Sequence, residues 1–161
     1  MGISASTRSS PPGIIPFIER VDTVVIADAN TSFKTVNGVL YSEDGSVLYA
    51  YPKAKTDETF SIVASADGVA QIFEAAFSGA SQLKTLNITG GAVTINDRAF
   101  EKVGILDKII FTSDTPSVFA GWDILNAANV NLKFYVPNAK LADYKANVKI
   151  DYSILSKFIG Q

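Results

Sequence analysis

The sequence predicts an α/β fold. It reads as a short solenoid in which parallel strands alternate with short helical turns, interrupted by an inserted β-meander and closed by a helical C-terminal cap. Three observations carry this. One motif is read twice between residues 68 and 111. Two turn dipeptides, Asn37-Gly38 and Asp44-Gly45, punctuate an aromatic stretch that does not repeat. After residue 130 a single alternating strand gives way to helical spacing.

The repeat comes first. Gly68-Val-Ala-Gln-Ile72-Phe-Glu-Ala-Ala76-Phe77 is followed by Leu83-Lys-Thr-Leu86-Asn-Ile88. Gly91-Ala-Val-Thr-Ile95-Asn-Asp-Arg-Ala99-Phe100 is followed by Leu106-Asp-Lys-Ile109-Ile-Phe111. A shift of 23 residues superposes Gly68 on Gly91, Ile72 on Ile95, Phe77 on Phe100, Leu86 on Ile109 and Glu74 on Asp97. That period lies within the range of leucine-rich repeats, whose strand is written L-x-x-L-x-L. One unit cannot bury its own apolar side, so stacking should align Ile, Phe and Leu rungs into a continuous ladder. In each unit the glycine marks a turn, and the Ala-Phe pair sits on a short helical turn.

The flanks follow from local rules. Residues 1–16 are rich in Ser, Pro and Gly and read as a tail or linker. A β-branched run over 21–26, with Val24 and Ile26 on one face, gives the earliest repeat strand. Asn37-Gly38 and Asp44-Gly45 predict two hairpins, hence a three-stranded meander over 33–52 inserted between coils. Tyr41, Tyr49 and Tyr51 cluster there, and packing across strands is the expected role. Phe60-Ser-Ile62-Val63 resumes the repeat strand. Leu132, Phe134 and Val136 alternate in a last strand that Pro137 ends. Residues 138–147 read as a helix with Asn138 as N-cap and Leu141 and Tyr144 facing inward. Residues 150–159 read as a second short helix, and 130–161 as the closing cap of a single domain spanning 17–161.

Composition then limits the chemistry. The 161 residues are 47% hydrophobic and 19% charged, with net charge −2, which provides no footprint for nucleic acid. The absence of cysteine and histidine removes disulfides, thiolate sites, the commonest general base and the ordinary serine triad. No apolar run is long enough to span a bilayer. Carboxylate pairs occur at Glu43-Asp44 and Asp57-Glu58, both in turns where charge is usually only solvated. Asp28 with Asn30 lacks the further oxygen ligands that calcium requires. Asn30-Thr-Ser and Asn87-Ile-Thr are glycosylation sequons, and Met1-Gly2 with Ser6 fits a loose myristoylation pattern. No nucleophile elbow or phosphate loop is present, so neither an enzyme nor a cofactor is expected.

The doubled Gly-x-x-x-Ile-x-x-x-Ala-Phe with its Leu-x-x-Leu/Ile-x-Ile/Phe strand resembles the BspA-like leucine-rich repeats of bacterial surface proteins. The stretch from Phe33-Lys-Thr-Val-Asn-Gly-Val-Leu-Tyr to Leu48-Tyr-Ala-Tyr-Pro52 is similar to that family's hairpin insert. Phe134-Tyr-Val-Pro-Asn-Ala-Lys-Leu-Ala-Asp-Tyr144 is similar to its C-terminal segment. The likeness spans about residues 21–148. It departs from the family at Ala80 and Val103, near where a cysteine is usual, and in its small number of units. The resemblance implies a cell-surface or secreted protein that attaches to a host or microbial protein or glycan, and it transfers no catalytic residue.

A binding module would use the strand residues between the ladder positions, which point to one exposed sheet face. These candidates are Thr23 and Val25 with neighbouring Asp22; Lys84, Thr85 and Asn87; Asp107, Lys108 and Ile110; and Lys133 and Tyr135. The alternative is a structural spacer within a longer surface protein.

Overall fold

The computed structural model describes residues 31–65 and 67–161, together with the backbone of two short strands, β1 (Ile3–Ser4) and β2 (Val24–Val25). β1 and β2 pair in parallel. The remainder of the expected tail and of the 21–26 strand lies outside the described residues, as do Asp28, Asn30 and the Met-Gly start. From residue 33 the strands are β3 (Phe33–Val36), β4 (Val39–Ser42), β5 (Val47–Ala50), β6 (Thr59–Ala64), β7 (Gln71–Ile72) and β8 (Thr85–Gly90). They continue as β9 (Thr94–Ile95), β10 (Lys108–Phe111), β11 (Val118–Phe119), β12 (Lys133–Val136) and β13 (Phe158–Gly160), with helix α1 (Leu141–Ala146) between the last two. Strands dominate and helices are few.

These strands build two sheets. One has the order β13-β12-β10-β8-β6 and is parallel throughout. The other runs β11-β9-β7-β5-β4-β3, parallel from β5 to β11 and antiparallel at the β3–β4–β5 end. From β5 to β12 the chain visits the sheets alternately, so each of these passes lays one strand in each. In the first sheet Thr85 pairs with Lys108 and Leu86 with Ile109; in the second Ile72 pairs with Ile95. The step between partners is 23 residues there, but Thr59 pairs with Thr85 and Lys108 with Lys133, which are slightly longer steps.

The apolar rungs lie where the repeat places them. Ile72, Ile95, Phe77, Phe100, Leu83, Leu106, Leu86 and Ile109 are all fully buried in one core cluster. The rings of Phe77 and Phe100 sit 5.5 Å apart. A second aromatic group closes the far end: Phe119, Phe134 and Phe158 lie within 5.0–5.2 Å of one another.

The turns depart from expectation. Residues around the Ala-Phe pairs form no helix. Ala75, Arg98, Lys102, Asp123 and Ala127 instead adopt left-handed conformations with φ of 48 to 55°. The reason is where the backbone donors go. The N–H groups of Ala75, Phe77 and Gly79 reach the carbonyls of Asp97, Ala99 and Glu101, at 3.0, 2.9 and 2.9 Å. One pass later Arg98, Phe100 and Lys102 bond Trp122, Ile124 and Asn126 in the same way. A helix would spend those donors on its own carbonyls four residues back. Here bonding between neighbouring passes wins, overriding the local helix propensity of Glu-Ala-Ala.

Two further elements differ. The meander forms as read, with Asn37 and Gly38 at φ 51° and 79° in the mirror-image turn that suits a hairpin. It is no separate insert between coils, however, because β5 pairs with β7 and makes the meander the outer end of the second sheet. At the C-terminus Asn138 opens a 3-10 turn (Asn138–Lys140) and provides no side-chain cap. The second helix is a 3-10 segment (Tyr152–Lys157), after which Phe158–Gly160 returns as a strand beside β12. Asp151 caps that segment, its Oδ1 accepting from the Ser153 N–H. Phe158 can thus bury against Phe134 while Ile159 faces outward.

The three tyrosines of the meander pack. Tyr51 is 2% exposed, stacked on Phe77 at 5.2 Å and edge-on to Phe60 at 5.0 Å. Tyr49 lies edge-on between Phe33 and Phe73. Among the described residues the Tyr51 hydroxyl has no hydrogen-bond partner although it is buried, and burial pushes its pKa up. Tyr144 differs: its hydroxyl, raised to about 12 by burial, donates to the Ser113 carbonyl at 2.8 Å. The same substitution should therefore have opposite signs at the two sites. Tyr51→Phe removes an unsatisfied group and should leave stability unchanged or raise it by about 1 kcal/mol, whereas Tyr144→Phe should lose about 1 kcal/mol. Urea unfolding midpoints check both, and a loss at Tyr51 would mean that its hydroxyl has a partner.

Candidate binding face

The first sheet buries every second residue and leaves the others on an outer face. β8 alternates Leu86 and Ile88 inward with Thr85, Asn87 and Thr89 outward. β10 and β12 follow the same phase. Parallel pairing in register turns these outward residues into rows across the strands. One row is Thr59, Thr85, Lys108 and Lys133. The next is Ser61, Asn87, Ile110, Tyr135 and Ile159. Side chains in such rows are about 5 Å apart, close enough for one partner to touch several.

The structure therefore brings Lys84, Thr85, Asn87, Asp107, Lys108, Ile110, Lys133 and Tyr135 onto one sheet. Lys84 and Asp107 stand at its rim, where Asp107 N–H donates to the Lys84 carbonyl and Lys133 N–H to that of Asp107. Thr23 and Asp22 lie outside the described residues. Val25 belongs to the separate β1–β2 pairing, described for its backbone alone.

Charge and polarity vary along the rows. Lys84 Nζ is tied to Glu58 Oε1 at 2.7 Å, and both groups are more than half exposed, so the pair contributes little stability. Lys108 and Lys133 stand opposite one another on neighbouring strands with no ion-pair partner among the described residues. Asn87 Nδ2 donates to Ser61 Oγ at 3.3 Å. Ile110, Tyr135 and Ile159 add an apolar end to the second row. At β6 the face meets an open hollow of about 600 Å³ lined by Asn37, Lys55, Asp57, Thr59, Phe60 and Ser61, with Lys55 Nζ 2.6 Å from Asp57 Oδ2.

Besides Thr89, four members of the face were absent from the sequence reading. Thr59, Ser61 and Val63 were available from the alternation around Phe60 and Ile62. Ile159 was hidden by reading 150–159 as a helix. Of the carboxylate pairs, Asp57 and Glu58 hold lysines. Asp44 is a fully exposed turn residue held at about 2, chiefly by the Ser42 hydroxyl at 2.6 Å and by the N–H and hydroxyl of Ser46. Among the described residues no three acidic side chains converge on a metal position, and no helix is long and apolar enough to cross a membrane.

No protein-family model and no curated protein matches the chain. Among solved structures, a pneumococcal vaccine antigen, PcpA, aligns at 16% identity with a TM-score of 0.41, over 89% of this chain and 51% of that one. A leucine-rich repeat protein from Eubacterium ventriosum ATCC 27560 aligns at 28% identity with a TM-score of 0.59 over 73% of this chain. The alignment covers 31% of that protein, so the chain spans about a third of its length. In fold, this chain is similar to a bacterial leucine-rich repeat protein.

Proposed function

We propose that this chain is a leucine-rich-repeat solenoid of the BspA-like kind, with units of about 23 residues, and that it serves as a non-enzymatic binding module. It would act at a cell surface or after secretion, contacting a host or microbial protein or glycan through the outer face of the five-stranded sheet. One observation carries the reading. Side chains from all five strands align in two rows that the core does not require, and Ile110, Tyr135 and Ile159 leave apolar surface among them. Lys108 and Lys133 strengthen it, because like charges directly opposed across strands are mildly unfavourable unless something else employs them.

Replacing Thr85, Lys108 and Tyr135 together with Ala tests this. The parent chain and the variant are applied to a glycan array and to a panel of purified matrix and microbial surface proteins. Parent capture of at least one partner is expected, with a loss of about thirtyfold in the variant, the size of a binding hot spot of about 2 kcal/mol. Undiminished capture by the variant would take this face out of the account. A second reading, a structural spacer, is favoured by the chain's matching only a third of a longer repeat protein. Capture of nothing on either panel would leave that reading in place.

A further inference from the structure

The second sheet carries a hollow of its own, away from the face described above. It holds about 180 Å³ and is lined by Gln71, Phe73, Glu74, Asn96 and Asp97. These residues come from successive passes, since Gln71 pairs with Thr94 and the N–H of Asn96 donates to the Ile72 carbonyl. The third pass delivers Trp122, the only tryptophan of the chain. Its backbone N–H donates to Asp97 Oδ1 at 2.7 Å, and its backbone carbonyl accepts from the Arg98 N–H at 3.0 Å. Gly121 beside it is packed against the Asn96–Asp97 backbone so closely that no side chain would fit. The main chain of Trp122 is thus pinned to Asp97, one of the lining residues, while the residue itself is 61% exposed.

A large aromatic left in water on a fixed backbone is a preorganised contact surface, because little conformational freedom is lost when something stacks on it. The polar lining is rich in acceptors. Asn96 spends its Nδ2 on the Ile72 carbonyl at 2.8 Å, which leaves Oδ1. Asp97 spends Oδ1 on Trp122, which leaves Oδ2. Glu74 and Gln71 hold no side-chain hydrogen bond among the described residues. A ligand matching this set offers several hydroxyl donors and a flat C–H face. The volume corresponds to about six water molecules at their liquid share, room for one ring and not for a folded segment.

The geometry points to a carbohydrate subsite here, which takes a single neutral pyranose residue. The ring stacks on Trp122 while its hydroxyls donate to Glu74, Asn96 and Asp97. The site is independent of the sheet-face reading, because it lies on the other sheet and shares no residue with it.

Trp122 is also the reporter. The intact chain is titrated with methyl glycosides of common hexoses and N-acetylhexosamines while tryptophan emission is followed, with calorimetry as the second readout. A saturable blue shift is expected with at least one sugar, at a millimolar dissociation constant. Glu74→Gln with Asp97→Asn should weaken it at least about tenfold, since a neutral amide accepts a weaker hydrogen bond than a carboxylate. Trp122→Ala should abolish the calorimetric signal, with its circular dichroism unchanged because the indole is exposed. The Thr85, Lys108 and Tyr135 variant should bind sugar normally, which separates this site from the sheet face. No saturable response to any sugar would overturn the proposal. So would a response indifferent to the double variant, or one given only by tetramethylammonium, which would mark a cation site.

Discussion

Replacing Phe100 with Ala should destabilise the protein by about 3–5 kcal/mol, the range for emptying a buried aromatic position. Phe100 is fully buried, its ring lies 5.5 Å from that of Phe77, and its N–H is tied to Ile124. The cavity would open in the middle of the stack, with Phe77 and Tyr51 on one side and Ile124 on the other, so no surface element can collapse into it. Typical domains have about 5–15 kcal/mol of stability in total, so this single change removes a large share. In a chain of this size the melting temperature should fall by about 6–20 °C. Val63→Ala, at an outward position 65% exposed, should by contrast stay within about 0.5 kcal/mol. Phe77→Ala with Phe100→Ala should lose less than the sum, because the two rings share one cavity. Denaturant melts that show less than about 1 kcal/mol for Phe100→Ala would contradict a core built from stacked rungs.

That core was legible because apolar identity recurs at a fixed spacing, and burial acts on identity. Ile72 with Ile95, and Leu86 with Ile109, could be paired before any coordinate was known. The second sheet was not legible in the same way. Its strands β7, β9 and β11 are only two residues long. They arise from hydrogen bonds to the neighbouring passes, so no periodicity within one segment announces them. The left-handed turns were missed for the same reason. Ala75, Arg98 and Lys102 are residues that favour a right-handed helix when alone, and only the carbonyls of the next pass draw them out of it. At the binding face, eight candidates could be placed from strand alternation. Ile159 could not, because a 3-10 segment running into a strand has helical composition. The hollow near Trp122 escaped entirely, since Glu74 and Asp97 were read only as matching positions of the repeat and Trp122 came after the period had loosened.

The glycines give the second large effect, and they refine the sequence reading. Gly68 and Gly91 lie in the turns where the repeat reading put them, but the residue there with positive φ is Gly90, the last of β8, at 87°. Gly91 does something else: its N–H approaches the Ala64 carbonyl to 2.5 Å, so the backbones of two passes nearly touch there. A Cβ on Gly90 would run into that same Ala64 carbonyl. Gly90→Ala therefore meets two penalties, a left-handed backbone of about 1–2 kcal/mol for an L-residue and overpacking of about 1–3 kcal/mol. The expected loss is about 2–5 kcal/mol, from adding one methyl group at an exposed position, where surface changes normally do little. Gly104 supplies the control. Nothing lies within 4 Å of its virtual Cβ and its φ is not positive, so Gly104→Ala should be neutral or stabilise by about 0.4–1 kcal/mol through the unfolded chain. Urea unfolding of the two variants side by side should show opposite signs. Equal and small effects at both would mean that the passes around Ala64 and Gly90 are not held at the separation seen here, and the register of β6 on β8 would have to give way first.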